Sequence, residues 1–443
     1  MKRVAIETFG CKVNYSDSEM LKSGLSEFES VSTEDVADIY IVNSCTVTAK
    51  ADTEARQIVR RFKRKNPDAL IIMTGCSAQT RFQEWAKTEG IDFIVGNTLK
   101  HKIPEILRAY SPQNDTSGSR LWVQNAFKNI EFQHSPVQKP AERTRFFLKI
   151  QDGCDDFCAF CIIPYARGKS RSLSPDRVID QIRTLVDADV KEVVLTGVSL
   201  GSYGIDLSPK TNLAGTIRRI ENETKLLRLR ISSLEPEDVS DELLAVLKDS
   251  NIFCPHFHLP LQSGDNFILE KMKRNYTVSY YERLVRKISD DFKDVFIGMD
   301  VICGFPSETE ERFKDGCKFI ESIPWSKLHV FPYSSRDGTA AVRFPGQVKR
   351  SEIGERAERL REMSQRRHIA FLDNQIGKNT PALVEKNREK EEVKALSRNY
   401  ISIKLLSDKS LRLNEEISLV PEKREGEQLV ASFSSLSFFF TCS

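Results

Sequence analysis

Residues 152–172 form the stretch DGCDDFCAFCIIPYARGKSRS, which directly follows the apolar run FFLKI at residues 146–150. The spacing C-x3-C-x2-C places the thiols of Cys154, Cys158 and Cys161 on one tight loop. Three thiolates on a cuboidal 4Fe-4S cluster leave one iron without a protein ligand. That iron can chelate the amino and carboxylate groups of S-adenosylmethionine (SAM), whose sulfonium is then cleaved reductively to a radical. The loop therefore predicts a 4Fe-4S cluster with SAM as a second cofactor.

A structural zinc ion is the alternative interpretation of this loop. Zinc in structural sites takes four ligands in tetrahedral geometry. Neither a fourth cysteine nor a histidine lies within the loop. The motif therefore favours the iron–sulfur cluster over zinc.

The chain after the loop alternates strand-like runs with amphipathic helical stretches. Five runs follow: EVVLTGVS at 192–199, LLRLRISSLEP at 226–236, FHLPLQSG at 257–264, VFIGMDVICGFP at 295–306 and KLHVFPYS at 327–334. Repeated βα units predict a full or partial (β/α) barrel over residues 141–374, with the active site at the C-terminal strand ends. A glycine there permits close backbone approach to a nucleotide, and polar side chains can bond a ribose or carboxylate. The candidate SAM contacts are Gly197, Ser232, Ser233 and Gln262.

Residues 1–106 predict a small α/β domain with a parallel sheet, because short apolar runs alternate with helical patterns. Cys11, Cys45 and Cys76 each lie just beyond a predicted strand, where the loops of an open parallel sheet converge. Scattered cysteines near apolar strands are often core residues. Their shared position at strand ends, each followed by polar residues, favours a second three-cysteine cluster instead.

The run ARQIVRRFKRKNP at residues 55–67 is a basic helical segment in a chain whose net charge is only +3. Nucleic-acid binding must therefore come from local clusters of charge. The candidate phosphate contacts are Arg56, Arg60, Arg61, Lys63, Arg64 and Lys65. Binding through them should weaken as salt rises.

Three further segments complete the organisation of the chain. Residues 107–140 are rich in Ser, Pro, Asn and Gln, which is typical of a linker. Residues 375–437 carry short strand-like runs that predict a small all-β barrel, and residues 438–443 form a tail. The fold class is thus α/β and multidomain.

The remaining cysteines and two alternating histidines have plainer explanations. Cys254, Cys303, Cys317 and Cys442 show no ligand spacing and are expected to be core or tail residues. His256 and His258 could face one side of a strand as metal ligands, but a hydrogen-bonded structural role is the interpretation that the pattern favours.

The sequence predicts a cytoplasmic protein. No run approaches the ~20 apolar residues of a membrane helix, and the N-terminus MKRVAIETFGCK does not lead into a secretion signal. In a reducing compartment, ten cysteines are explained better by metal or catalysis than by disulfides.

Taken together, these segments resemble the methylthiotransferase family of radical SAM enzymes over nearly the whole chain. The motifs that carry the resemblance are ETFGCKVNYSDSE, VNSCTVTAKAD, TGCSAQ, KIQDGCDDFCAFCIIPYARGKSRS, LTGVSLGSYG, RISSLEP, HLPLQSG, DVICGFPSET and HVFPYSSRDGTAA. The resemblance implies that Cys11, Cys45 and Cys76 ligate an auxiliary 4Fe-4S cluster, beside the SAM-binding cluster of the 154–161 loop. It also implies that residues 375–437 form a TRAM-like domain that binds tRNA, although this segment lacks several glycines expected between its strands.

The sequences of these motifs most resemble those of the branch that acts on N6-threonylcarbamoyladenosine at tRNA position 37, beside the anticodon. That branch adds a methylthio group at carbon 2 of the base and requires external electron and sulfur donors. Sister branches act on isopentenyl-adenosine in tRNA or on an aspartate of a ribosomal protein. Arg336 is a candidate for binding the threonylcarbamoyl carboxylate, because a planar guanidinium matches it bidentately. An RNA-binding iron–sulfur redox sensor is the alternative from another class.

Overall fold

The computed structural model describes residues 1–46, 49–110, 120–128, 131–133, 144–386, 393–406, 411–432 and 436–437. The predicted tail 438–443 and most of the predicted linker lie outside these residues. Among the described helices, none combines the length and the apolar character that a bilayer crossing requires.

The N-terminal part is one six-stranded parallel sheet with helices on both faces. Its strands are β1 (Arg3–Thr8), β2 (Glu29–Ser30), β3 (Ile39–Ser44), β4 (Leu70–Gly75), β5 (Phe93–Val95) and β6 (Leu121–Trp122). Its helices are α1 (Lys12–Gly24), α2 (Ala49–Lys65), α3 (Cys76–Thr80), α4 (Phe82–Trp85) and α5 (Ile103–Ala109). The strand order is β2-β1-β3-β4-β5-β6, so β1, β3 and β4 are neighbours.

The central strands β3 and β4 are buried at every residue, because helices cover both faces of the sheet. Val59 and Phe62 of α2 pack on one face, and Leu21 of α1 and Ile106 of α5 pack on the other. This arrangement explains why these strands are continuous apolar runs rather than alternating ones. The predicted small parallel α/β fold is therefore confirmed.

The boundary of the predicted linker 107–140 differs from the structure at two places. Helix α5 continues to Ala109, and β6 pairs in parallel with β5 through a main-chain hydrogen bond of 2.7 Å from Gly96 to Trp122. This two-residue strand was not predicted, because the segment around it is polar. Main-chain hydrogen bonds hold the strand in the sheet, although its side chains are exposed. The linker thus contributes an edge strand to the first sheet.

The central part is a six-stranded half-barrel of parallel strands. They are β7 (Arg145–Lys149), β10 (Glu192–Thr196), β11 (Arg228–Ile231), β12 (His256–His258), β13 (Phe296–Cys303) and β14 (Lys327–Pro332), with the short pair β8 (Gln151–Asp152) and β9 (Arg171–Ser172) beside them. The order is β7-β10-β11 and β12-β13-β14, and a parallel bridge between Leu229 and Phe253 joins the two halves. The predicted partial (β/α) barrel is present.

Helices cover the outside of the half-barrel. They are α7 (Pro175–Asp187), α8 (Leu213–Glu223), α9 (Asp241–Asp249), α10 (Asn266–Lys271), α11 (Val278–Asp291), α12 (Glu310–Ser322) and α13 (Arg350–Asp373). The short helix α6 (Ile163–Arg167) packs instead against α3 of the N-terminal part. Alternate strand residues such as Leu148, Leu195 and Leu229 join the core under these helices. The residues between them face the inside of the half-barrel, which we call the lumen. Its polar lining comprises Arg145, Glu192, Arg230, His256, His258, Asp300 and His329.

Helix α1 of the N-terminal part packs against β7, at the open side of the half-barrel. The hydroxyl of Ser16 accepts a hydrogen bond of 3.3 Å from the backbone of Lys149. The first residues of α1 therefore border the lumen, which connects the N-terminal cysteine region with the barrel.

The C-terminal part is a seven-stranded mixed sheet at the opposite end of the half-barrel. Its strands are β15 (Thr380–Lys386), β16 (Val393–Ser397), β17 (Ser402–Leu406), β18 (Glu416–Leu419), β19 (Lys423–Glu425), β20 (Gln428–Ser432) and β21 (Leu436–Ser437), in the order β19-β20-β17-β16-β15-β18-β21. All pairings are antiparallel except that of β17 with β20. The turn between β16 and β17 brings Tyr400 to the lumen, with its ring 4.6 Å from that of His256.

Candidate functional site

The three N-terminal cysteines lie at the C-terminal ends of neighbouring strands. Cys11 precedes α1, Cys45 follows β3 directly, and Cys76 opens α3. Gly75 has a φ of 95°, and a Cβ there would lie 2.3 Å from the carbonyl oxygen of Ser44. Only glycine therefore lets β4 turn at once into the helix that carries Cys76.

Asn14 ties the three cysteine loops together. Its side-chain amide donates to the carbonyl oxygens of Phe9 (2.7 Å) and Ser44 (3.0 Å), one from each of the first two loops. The Cys76 thiol donates to its Oδ1 over 3.8 Å. One buried side chain thus fixes the positions of all three loops.

The loop of Cys154, Cys158 and Cys161 is also held by local backbone bonds. The Cys161 amide donates to the Cys158 carbonyl (3.0 Å), and the Cys154 amide donates to the carbonyl of Gly168 (3.1 Å). Phe157 adopts a φ of 47°, which reverses the chain between the first two cysteines. These bonds hold the three cysteines on one compact loop.

The chemistry of the thiols fits a polynuclear cluster better than a single ion. Burial raises the pKa of the Cys154 and Cys158 thiols and raises that of Cys161 to about 12, so metal binding must supply the driving force for deprotonation. In a tetrahedral zinc site, sulfurs at 2.3 Å from the ion stand about 3.8 Å apart. Among the described residues, neither cysteine triplet brings all three sulfurs within 4.8 Å of one another. The wider spacing disfavours zinc.

A buried ion network joins the two cysteine sites. Asp17 of α1 bonds the ammonium of Lys149 (2.5 Å) and the guanidinium of Arg167 (3.0 Å), and Arg167 also donates to Asn14 Oδ1 (2.6 Å). Asp152 accepts from Arg167 (2.9 Å) on the side of the second loop. Arg167 lies within the 152–172 motif, so this motif contacts the N-terminal cysteine region directly.

The network is ionised in the folded chain. Burial alone would raise the pKa of Asp17, but the charges of Lys100, Lys149 and Arg167 outweigh it and hold the pKa well below its usual range. The Arg167 guanidinium likewise opposes the effect of burial, which raises the pKa of the Cys76 thiol. A fixed positive charge therefore lies beside the N-terminal cysteine site.

Two charged residues that the sequence analysis did not single out lie beside the second cysteine loop. Arg274 donates to the sulfur of Cys158 over 3.2 Å and pairs with Glu235, which follows β11. Burial raises the pKa of Glu235 to about 7, against the opposing charge of Arg274. The motif RISSLEP contains Glu235, so its position at a strand end was the available signal.

Of the predicted SAM contacts, Gly197 lies on a loop organised by Gln151. The Gln151 Oε1 accepts from the amides of Val198 and Ser199, both at 2.8 Å. A Cβ at Gly197 would lie 2.8 Å from that oxygen. Gly197 is therefore required for the close packing of this loop, at the strand end where the prediction put it.

The other three predicted SAM contacts line the lumen side of the barrel mouth. Ser232 Oγ is buried and has no hydrogen-bond partner among the described residues. Ser233 Oγ lies 2.5 Å from His258 Nδ1, and His258 Nε2 lies 2.8 Å from Asp300 Oδ1. Gln262 has a φ of 64°, and its amide donates to the Asp300 carbonyl. Ser233 is thus engaged, whereas Ser232 is open to a ligand.

His258 takes the hydrogen-bonded role that the alternation favoured. His256 does not: its buried Nδ1 has no hydrogen-bond partner among the described residues, and its ring packs against Phe296 and Tyr400. The ligand atoms of His258, Asp300 and His329 also lie within 4.8 Å of one another. These three side chains come from neighbouring strands and form one polar patch in the lumen. Cys254, Cys303 and Cys317 are buried, as predicted, and Cys442 lies outside the described residues.

Lys12, the residue after Cys11, projects into the lumen. Its charge interacts with Arg145 of β7, Arg230 of β11 and Asp300 of β13, and with Tyr400 below them. His256 of β12 and His329 of β14 also experience this charge. Lys12 lies one turn before Ser16, on the face of α1 that packs against β7, so its side chain is directed toward the lumen.

The basic helix α2 uses most of its charges within the N-terminal part. The paired members are Arg56 with Glu84, Arg61 with Glu7 and Glu34, Lys63 with Asp92, and Lys65 with Glu34. Arg60 and Arg64 are exposed and make no ion pair with any described residue. Two of the six predicted phosphate contacts are therefore available to a ligand.

Arg336 is buried at the contact between the half-barrel and α2, where it forms an interdomain ion pair. Its Nη1 donates to Asp52 Oδ2 over 3.0 Å, and Arg81 donates to the same oxygen over 2.7 Å. Its Nε and Nη2 have no partner among the described residues. One of the three guanidinium nitrogens thus bonds Asp52.

Residues 3–96 match the family described as Uncharacterized protein family UPF0004, and residues 148–320 match the Radical SAM superfamily. The chain is 39% identical to the threonylcarbamoyladenosine tRNA methylthiotransferase MtaB of Aquifex aeolicus, over 91% of this chain and 96% of that protein. It is 38% identical to the Bacillus subtilis protein of the same name, over 88% of this chain and 87% of that protein. The chain belongs to the radical SAM methylthiotransferase family.

This methylthiotransferase is therefore an enzyme that uses a 4Fe-4S cluster and SAM, which sets aside the redox-sensor alternative. It is also 32% identical to the tRNA-2-methylthio-N(6)-dimethylallyladenosine synthase of Jannaschia sp., over 87% of this chain and 84% of that protein. The fold is shared more widely. TsrM from Kitasatospora setae, a radical SAM methyltransferase, matches this methylthiotransferase with a TM-score of 0.55 over 75% of this chain and 73% of that chain, at 16% identity.

Proposed function

We propose that this methylthiotransferase acts on N6-threonylcarbamoyladenosine at position 37 of tRNA and adds a methylthio group at carbon 2 of the base. The observation that carries this proposal is the name shared by the relatives from Aquifex aeolicus, Bacillus subtilis and Rickettsia prowazekii, which are 36–39% identical along nearly their whole length. The dimethylallyladenosine synthases are 32–33% identical.

The two cysteine sites are assigned one cluster each. Cys154, Cys158 and Cys161 hold the cluster that binds SAM, and the N-terminal cysteine triplet holds the auxiliary cluster. When bound, these groups supply the radical and the sulfur, with electrons and sulfur provided by external donors. The chain holds the two sites together through Arg167 and Asp17, and Ser232 offers SAM a buried hydroxyl.

The tRNA contacts are assigned to exposed cations and to the C-terminal sheet. Arg60 and Arg64 lie on one face of α2 and are available for phosphates. Residues 375–437 serve as the TRAM-like unit, next to a radical SAM unit at 141–374 and an auxiliary-cluster unit at 1–106. An anticodon loop is already single-stranded, so presenting its base costs little unstacking energy. The cytoplasm, where tRNA is modified, is the expected location.

The decisive experiment is mass spectrometry of tRNA nucleosides from cells with and without this protein. The proposal predicts that only the methylthio form of threonylcarbamoyladenosine disappears and that the unthiolated nucleoside accumulates. Loss of the methylthio form of isopentenyl-adenosine instead would assign the chain to that sister branch. Unchanged tRNA together with loss of a methylthio group from a ribosomal protein would assign it to the other.

A further inference from the structure

The lumen contains one cation that the fold leaves without a carboxylate. Lys12 forms no ion pair within 4.0 Å and no hydrogen bond in the part of the chain that the structure describes. Arginines pair with two of the nearby carboxylates, Glu192 with Arg230 and Glu385 with Arg145, and Asp300 is hydrogen-bonded to His258. An ammonium in a partly enclosed site without a direct ion-pair partner can bind an incoming anion.

The far end of the lumen is closed and cannot supply that anion. The Arg230 guanidinium lies 4.8 Å from the ring centre of Tyr400, and Arg145 lies 5.8 Å from it. These three groups, with His256 against the same ring, separate the lumen from the C-terminal sheet. An anion can reach Lys12 from the cysteine end, where the target base enters in the proposed function.

The chemistry of the substrate matches this position. In adenine, carbon 2 and carbon 6 both flank ring nitrogen N1, so a substituent on N6 can lie on the same edge as carbon 2. The threonylcarbamoyl substituent ends in a carboxylate. Because Lys12 follows Cys11 directly, a base that presents carbon 2 to the auxiliary site directs this substituent toward the lumen beside Lys12.

We propose that Lys12 binds the carboxylate of the threonylcarbamoyl substituent and thereby determines which modified adenosine the barrel accepts. His329, which is exposed on β14 within the same lumen, is placed as a second polar partner. An apolar isopentenyl group in this site would desolvate the ammonium without replacing its hydration, so the same residue selects against that substrate. The inference rests on the proposed function and names the residue that gives it specificity.

The test measures the affinity of the full-length, anaerobically reconstituted protein for anticodon stem-loop RNA. Position 37 carries adenosine, threonylcarbamoyladenosine, or the methyl ester of the latter, which has the same shape without the charge. The wild-type chain should bind the acid about 10- to 30-fold more tightly than the ester. Lys12→Met should bind acid and ester equally, whereas Lys12→Arg should keep most of the preference. Lys318→Met, on an exposed lysine of α12, is the matched control and should behave as wild type.

Equal binding of acid and ester by the wild-type chain overturns the inference without using any variant, and so does a Lys12→Met chain that keeps the preference. SAM also carries a carboxylate, so 5′-deoxyadenosine formation from SAM and dithionite is measured without RNA. A Lys12→Met chain that loses this activity while it retains the acid preference would assign the lysine to SAM and overturn the proposal. Product analysis is separate: no methylthio product from the acid RNA with intact clusters contradicts the proposed function itself.

Discussion

At the scale of single residues, the six ligand cysteines should separate into two groups by their response to alanine substitution. Each substitution should lower the iron content from about eight to about four per chain, because the other four-iron cluster is untouched. Loss of 5′-deoxyadenosine formation should occur only for Cys154, Cys158 and Cys161. Cys317→Ala, which removes a thiol of α12 buried in the core of the half-barrel, is the control and should keep all its iron. Four iron atoms per chain in the wild type would contradict the two-cluster assignment.

Asp17→Asn should destabilise the chain by about 3–5 kcal/mol, because it leaves Lys100, Lys149 and Arg167 buried without their shared carboxylate. The measurement is the urea midpoint by circular dichroism, with both chains in the same metal state. Asp176→Asn removes a carboxylate from an exposed pair with Arg219 and should leave the midpoint unchanged. A midpoint equal to wild type for the Asp17 variant would show that the network adds nothing to stability.

The strand-end positions of the cysteines were easier to predict from the sequence than the partners of the basic residues around them. Cysteine spacing and strand ends are local features, so the convergence of Cys11, Cys45 and Cys76 followed from the βα pattern. The partner of a charged side chain is set by packing between distant elements. Arg336 pairs with Asp52, which is 284 residues away in the sequence, and Lys63 pairs with Asp92 on another loop. No pattern along the chain contains that information.

At the scale of secondary-structure elements, α2 should contribute to tRNA binding through two residues only. Arg60→Ala and Arg64→Ala together should reduce the slope of log affinity against log salt by about two, one for each phosphate that the helix no longer binds. Lys63→Ala should leave the slope unchanged, because its charge is already paired with Asp92. Filter binding of tRNA over a salt series provides the measurement. An unchanged slope in the double variant would exclude this face of α2.

One buried carboxylate, that of Glu192 on β10, forms ion pairs with Arg228 and Arg230 of the neighbouring strand β11. Burial alone would raise the pKa of Glu192, but Arg230 and Arg228 outweigh it and lower the pKa from 4.5 to about 2. The stabilisation is therefore complete above pH 4.5 and is lost as pH falls from 4.5 toward about 2. Glu192→Gln should cost about 3–5 kcal/mol at pH 7, and its deficit against wild type should shrink across that acid range. Urea midpoints at a series of pH values test this, and a deficit independent of pH would contradict it.

Strands with clear periodicity were predicted well, and short elements held by the backbone alone were not. The half-barrel strands alternate or run apolar in a way that the sequence displays. Strand β6 has two exposed residues and exists because β5 offers free edge groups, a property of the folded sheet. Helix α1 could be predicted as a helix, but its role in bordering the lumen could not, because that depends on how it packs against β7.

At the scale of the whole molecule, removing residues 375–443 should damage the half-barrel and not only tRNA binding. Arg228 and Arg230 are fully buried and donate to the carbonyl oxygens of Ser397 and Arg398 in the C-terminal sheet. A chain that ends at residue 374 leaves both guanidinium groups without these acceptors. We expect a lower thermal midpoint and faster proteolysis within residues 141–374. A truncated chain as stable as the full one would show that the C-terminal sheet is an independent appendage.

The buried ion network restricts how this architecture can be recombined. Asn14 and Asp17 belong to the N-terminal part of the chain. Lys149, Asp152 and Arg167 belong to the central part. A chimera that joins the first hundred or so residues of one family member to the barrel of another would leave a buried charge facing a foreign partner unless both halves of the network match. Gene fusions that exchange substrate preference must therefore inherit these positions as a set, and lineages should lose or replace them together.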